Sequence, residues 1–107
     1  MEDLPTTLKH AIEKNHMSIR ALENTIAECF ESNQRVSRNL IHEYLKGKRA
    51  PTYDAAFALA TVLEIDKEEL LTLTYLERQL NRSEAERQRF LTFCKENDIN
   101  IKTVHLL

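Results

Sequence analysis

Gly47 is the only glycine in the 107-residue chain, and Pro5 and Pro51 are its only prolines. Glycine and proline punctuate regular backbone, so a chain this poor in both has few tight turns at its disposal. A sandwich or barrel of short strands needs many turn residues, whereas helices joined by short connections need few. The sequence therefore predicts an all-α fold. Apolar residues make up 42% and charged residues 30% of the chain, a balance that belongs to globular rather than disordered proteins. Its length suits one folding unit with a core of its own.

Periodicity divides the chain into segments. Thr6 or Thr7 is expected to cap a first helix carrying Leu8, Ala11 and Ile12 and ending near Asn15 or His16. Ser18 begins a second, with Ile19, Leu22 and Ile26 on one face. The polar run ESNQR, Glu31 to Arg35, breaks the pattern before Ser37 caps a third helix with Ile41, Tyr44 and Leu45 inward. Gly47 ends that helix, because the residue after a helix commonly adopts the left-handed conformation, which costs glycine almost nothing. After Pro51, Thr52 caps a fourth helix that buries Tyr53, Ala56, Leu59, Ala60 and Leu63.

Asp66 with Glu69, and Ser83 with Glu86, have the spacing of capping boxes. The first opens a fifth helix with a stripe of Leu70, Leu73, Leu76 and Leu80; the second opens a helix burying Phe90, Leu91 and Cys94. The tail from Ile99 to Leu107 alternates loosely and admits a short strand.

Little in the chain suggests catalysis. Cys29 and Cys94 form no CxxC, and with His10, His16, His42 and His105 they make no ligand set, so neither a metal nor a cofactor is expected. No nucleophile–base spacing or glycine-rich phosphate loop is present, and the expectation is a protein that is not an enzyme. No apolar run approaches the roughly 18 residues that span a bilayer, and the start MEDLP lacks the basic residues of a signal peptide. The expectation is a cytoplasmic protein with no membrane partner.

Charge becomes informative once it is divided along the chain. The net charge is −3 over residues 1–34, +4 over residues 35–49 and −3 over residues 50–107. A local positive patch on an acidic body is enough to steer phosphate binding, although a solvated basic face has the same composition. Spacing separates the two readings. Stepping 100° per residue from Ile41 puts Asn39, His42, Glu43 and Lys46 outward, with Arg38 at the flank. Arg pairs with guanine, Asn with adenine and Glu with the cytosine amino group in the major groove, where one helix fits. Lys46, Lys48 and Arg49 follow at the helix end, placed to hold phosphates.

The segments VSRNLIHEYLKGKRAP and PTYDAAFALATVLEIDKEELL, which run on without a gap, together with MSIRAL, resemble the lambda-repressor-like, Cro-type helix-turn-helix domains, also called the xenobiotic-response-element family. The resemblance covers about two-thirds of the chain, from Leu8 to Leu71. It implies a five-helix DNA-binding domain over residues 6–74, with residues 75–107 as a helical extension. It also implies that helix 37–46 reads the major groove of double-stranded DNA. By the same resemblance Arg38, Asn39, Glu43 and His42 contact bases, and Ser37, Lys46, Lys48, Arg49 and Arg20 contact phosphates. Two departures stand out. About eight extra residues between Leu22 and Val36 either lengthen the second helix by two turns or form a loop. The family's buried arginine–glutamate pair is matched by Ile12 and Leu45, both apolar, which are expected to face each other.

The function these readings support is that of a sequence-specific transcriptional regulator, a repressor of phage, mobile-element or antitoxin type. The alternative is a protein-interaction module that uses the helix-turn-helix as scaffold for a protein partner. Leu76, Leu80, Phe90, Leu91 and Phe93 are many apolar residues to leave exposed on a monomer, which predicts a homodimer built by the C-terminal helices.

Overall fold

A computed structural model describes residues 2–78 and 84–100, of Glu84 the backbone alone. Among the described residues the fold is all-helical, with six α-helices and no strand: α1 (Leu4–Lys14), α2 (Ile19–Cys29), α3 (Arg38–Leu45), α4 (Tyr53–Leu63), α5 (Lys67–Arg78) and α6 (Glu84–Glu96). A 3-10 turn, Ser32–Gln34, lies between α2 and α3. Leu80, Ser83 and residues 101–107 lie outside the described residues. The second capping box and most of the tail strand therefore lie outside them as well.

The caps account for most helix starts. Ser18 Oγ accepts the Ala21 N–H at 3.0 Å, Ser37 Oγ the Leu40 N–H at 3.2 Å, and Thr52 Oγ1 the Ala55 N–H at 3.1 Å. Each occupies one of the amides that a helix start leaves without an intrahelical partner. Asp66 Oδ1 likewise accepts the Glu68 and Glu69 N–H groups at 2.9 and 3.4 Å. The start of α1 differs from expectation. Asp3, not Thr6 or Thr7, is the cap, its Oδ1 accepting the Thr6 N–H at 2.9 Å. Beginning earlier puts Pro5 in the first turn, where its missing N–H costs nothing. It also brings Leu4, 1% exposed, into the core with Leu8 and Ala11.

Helix ends follow a rule that the single glycine conceals. At the end of α3 the Gly47 N–H donates to Tyr44 O at 3.1 Å and the Lys48 N–H to Glu43 O at 2.9 Å, with Gly47 at φ 70°. These two bonds define a left-handed Schellman cap. The same bonds recur after α1 around His16 and after α6 around Asp98, and Glu64 ends α4 in the same conformation; their φ values are 53°, 56° and 56°. None of these three is a glycine.

Between Leu22 and Val36 the chain is helical as far as Cys29 and then runs as a connection with one 3-10 turn. α2 stops at Cys29, since Ala27, Glu28 and Cys29 are all exposed and no apolar residue continues its stripe through ESNQ. Val36, 2% exposed, and half-buried Phe30 pin the two ends of this connection to the core, and its 3-10 turn packs on α4.

Two apolar clusters meet at α4. The larger joins Leu4, Leu8, Leu22, Ile26, Val36, Ile41, Tyr44, Leu59, Leu63 and Leu70 among others, with Ile12 and Leu45 both half-buried against it. The smaller joins Tyr53, Ala56, Leu71, Tyr75, Phe90 and Cys94. α5 is buried on both faces, so the stripe expected along Leu70, Leu73 and Leu76 is replaced: Leu70 and Leu73 enter one cluster, Leu71 and Tyr75 the other, and Leu76 is left 45% exposed. The division expected after residue 74 falls inside α5, next to Tyr75 of the smaller cluster.

Backbone conformation alone sets the response at the left-handed positions. A Cβ on Gly47 would meet only Pro5 Cγ at an ordinary 3.6 Å, so Gly47→Ala is expected to cost about 1 kcal/mol through φ. Glu64→Gly should move the other way, stabilising by about 0.5 to 1 kcal/mol once the freer unfolded chain is offset. Urea unfolding of both variants checks the pair; equal signs would contradict it.

Candidate nucleic-acid interface

Ser37 starts α3 and Gly47 ends it, so one short rigid rod carries the basic segment. Arg38, Asn39 and His42 are exposed along it, Glu43 is half-buried, and Lys46, Lys48 and Arg49 are exposed at and beyond its end. Asn39, His42, Glu43, Lys46 and Lys48 line one surface depression. The outward set expected from helical geometry is therefore brought together on one side, while Ile41 and Tyr44 are buried behind it. Burial raises the Tyr44 hydroxyl above the ordinary tyrosine value, with the nearby Glu43 charge adding to it against Arg49 and Arg78, so the support beneath α3 is neutral. Arg20 is exposed on α2. The Ser37 hydroxyl is engaged as a cap.

Two arginines of this surface already have carboxylate partners. Glu23 of α2 accepts the Arg38 backbone N–H at Oε2, 2.8 Å away, and its Oε1 lies 3.2 Å from Arg38 Nε. Arg49 Nε lies 3.2 Å from Glu43 Oε2. With half or more of each arginine side chain in solvent, such pairs orient side chains more than they stabilise the fold. Glu23 escaped the sequence reading because its partner is fifteen residues away, across the connection.

A second polar group, also absent from the sequence reading, lies between α4, α5 and α6. Tyr53 OH donates to Glu86 Oε1 at 2.7 Å, Arg78 Nε donates to the same oxygen at 2.7 Å, and Arg89 donates to Oε2 at 2.7 Å. Arg78 also donates to Pro51 O at 3.2 Å, next to the basic turn, and lies over the Tyr53 ring. Glu86 is only 6% exposed. Burial alone pushes its carboxyl up, but the donors Tyr53 and Arg78 and the charges of Arg78 and Arg89 outweigh it and hold the group below the ordinary carboxylate value. Burial, with the Glu86 contact adding to it, drives the Tyr53 hydroxyl far above the usual tyrosine range. Tyr53 remains the donor throughout the working pH range.

This arrangement revises the assignment of the C-terminal residues. Phe90 is 0% exposed, with its ring 4.7 Å from that of Tyr75 and 5.7 Å from that of Tyr53. It has no surface to offer a second chain. Leu91 and Phe93 are half-buried against the same cluster, and Leu76 is the one large apolar side chain exposed among the described residues. α6 thus completes the core within one chain. Cys94 belongs to that cluster, and burial pushes its thiol up to about 11. Among the described residues no three His, Cys, Asp or Glu side chains gather as a metal site, and no helix is long and apolar enough to cross a membrane. No family model, curated protein or solved structure matches the chain.

Glu86→Gln should cost about 2 kcal/mol at pH 7, the scale for hydrogen bonds to a buried charge. A carboxyl depressed in the folded state contributes stability above its ordinary value, 4.5 here, and loses it as pH falls below that value. The gap between wild type and variant should therefore narrow from pH 7 to pH 3. Urea unfolding at both pH values checks this, and a constant gap would contradict it.

Proposed function

We propose that the chain is a sequence-specific double-stranded DNA-binding protein that inserts α3 into the major groove and acts as a transcriptional regulator, a repressor in the simplest case. The observation that carries this reading is that Arg38, Asn39, His42, Lys46, Lys48 and Arg49 are all exposed on α3 and its following turn, with Asn39, His42, Lys46 and Lys48 lining one depression. A helix with its side chains is about 10 to 12 Å across, which fits a major groove about 12 Å wide, and the eight residues of α3 present about 12 Å of it lengthwise. Arg38, Asn39, His42 and Glu43 are assigned to base edges, and Lys46, Lys48, Arg49 and, from α2, Arg20 to phosphates. α2, the connection and α3 then form a helix-turn-helix of the lambda-repressor-like kind, with a longer turn than that family uses. A single helix reads only a few base pairs, so we expect two copies on a symmetric site, meeting elsewhere than at Phe90.

One observation favours the alternative of a protein-binding scaffold: Glu23 and Glu43 already pair with two of the cations. Selection of genomic fragments by the purified protein, followed by sequencing, separates the two. Recovery of one short symmetric motif supports DNA recognition; recovery of unrelated fragments leaves the scaffold reading.

Within the DNA reading, Arg38→Ala should weaken binding to the selected site by ~1 to 3 kcal/mol more than binding to random duplex. Equal losses on both would remove Arg38 from the base-reading set. Lys48→Ala should weaken both duplexes and make the salt dependence shallower by about one unit of slope, which a titration from low to moderate salt measures.

A further inference from the structure

We propose that Glu23 is a specificity-determining residue that acts through Arg38, holding the arginine from behind so that its two Nη groups form a fixed edge for reading guanine. The inference rests on the proposal that α3 enters the major groove. It starts from how one carboxylate is divided. Oε2 accepts the backbone N–H of the first residue of α3, and Oε1 lies 3.2 Å from the Nε of that residue's own side chain as its ion-pair partner. The position of the helix start and the direction of the side chain leaving it are set by the same group.

The donors that remain decide what such an arginine can do. A guanidinium has five N–H donors in a rigid fork. With Nε facing Glu23, the Nη pair of Arg38 has no partner among the described residues. Those two groups can donate in parallel to O6 and N7 of a guanine, a pairing that no other base offers in the major groove. Arg38 is half exposed and Glu23 is 29% exposed, so the pair sits at the surface, with the carboxylate the more sheltered of the two. A free arginine must be ordered from many rotamers on binding, and that cost falls when the side chain is already held. The lysines of this face, Lys46 and Lys48, carry no planar fork and are not candidates for the same role.

Glu23 has a second effect in the same direction. Its charge lies beside the start of α3, where it opposes any DNA phosphate that approaches without a correctly placed guanine. Glu23 therefore lowers affinity for random duplex while it sharpens choice, and the two effects are separable by substitution. Gln in its place keeps an oxygen for the Arg38 N–H and removes the charge.

The experiment measures binding of wild type, Glu23→Gln, Arg38→Ala and the double variant to the selected site. The same proteins are measured on that site with the guanine pair read by Arg38 changed to an adenine pair, and on random duplex. Wild type should prefer guanine by at least about tenfold. Glu23→Gln should bind random duplex as well or better and lose several-fold of the preference, and once Arg38 is Ala it should change the preference between guanine and adenine no further. An undiminished preference in Glu23→Gln, an equal loss on all duplexes, or a change of base preference that persists without Arg38 would overturn the proposal while leaving DNA recognition intact. Absence of any selective binding by wild type would overturn the DNA reading and this proposal with it. Exchange of the Arg38 Nε–H, followed by NMR in the unaltered protein, tests the hold even where Glu23→Gln folds poorly. Protection relative to the exposed Arg20 supports the proposal, and equal exchange overturns it.

Discussion

The packing of α4 fixes where everything else can go. From Tyr53 to Leu63 seven of eleven residues are buried, four of them alanines, so neighbouring backbones can approach this helix closely on several sides. α5, α2 and the 3-10 turn all pack on it. Its Ala55, Ala58, Leu59, Ala60 and Leu63 belong to the larger cluster, and its Tyr53 and Ala56 to the smaller. A helix apolar on most of its surface is stable only when enclosed. That requirement brings α1 and α2 to one side and α6 to another. The join is reinforced by Asn15, whose side-chain amide donates both to Ala11 O and to Leu63 O, tying the end of α1 to the end of α4.

α3 packs mainly on α1 and α2. It packs inward through Ile41 and Tyr44, and its start is bonded to Glu23 on α2. The far end of the basic segment is anchored separately. Pro51 is buried, and its carbonyl accepts from Arg78, which in turn holds Glu86 of α6. The turn with Lys48 and Arg49 thus hangs between a capped helix and a polar network rooted in the C-terminal core. Such a network is stable because each oxygen of a carboxylate that would be costly to bury alone has charged donors.

Much of the helical layout was legible because its signals are local. Ser18, Ser37, Thr52 and Asp66 each stand just before an apolar period, and Gly47 stands just after one. The left-handed ends at His16, Glu64 and Asp98 carried no such mark, because hydrogen bonding from the following residues imposes the conformation on side chains that do not advertise it. Asp3 was passed over because the apolar period was counted from Leu8, not from Leu4. α5 misled for a different reason: a period locates one buried face, whereas this helix has two, so Tyr75 is inside and Leu76 outside. The outward face of α3 followed from rotation about Ile41 alone. The contacts of Glu23 with Arg38 and of Glu86 with Tyr53 and Arg78 did not, since these partners come from other helices.

Those two carboxylates change the meaning of the local charge. The +4 of residues 35–49 already includes Glu43, which pairs with Arg49, and Glu23 from outside the segment partly offsets Arg38. Arg35, Lys46 and Lys48 are the cations of this segment without a carboxylate partner among the described residues, so the undirected pull on a phosphate backbone is weaker than the composition suggests. A surface built this way gains little from merely being near DNA, and the acidic remainder of the chain reduces that gain further. What it retains is geometry: two arginines with directions set by carboxylates, on a rod capped at both ends. On the proposed DNA reading, recognition by this mildly acidic chain of pI near 6.1 depends on the ratio of specific to non-specific binding more than on total charge.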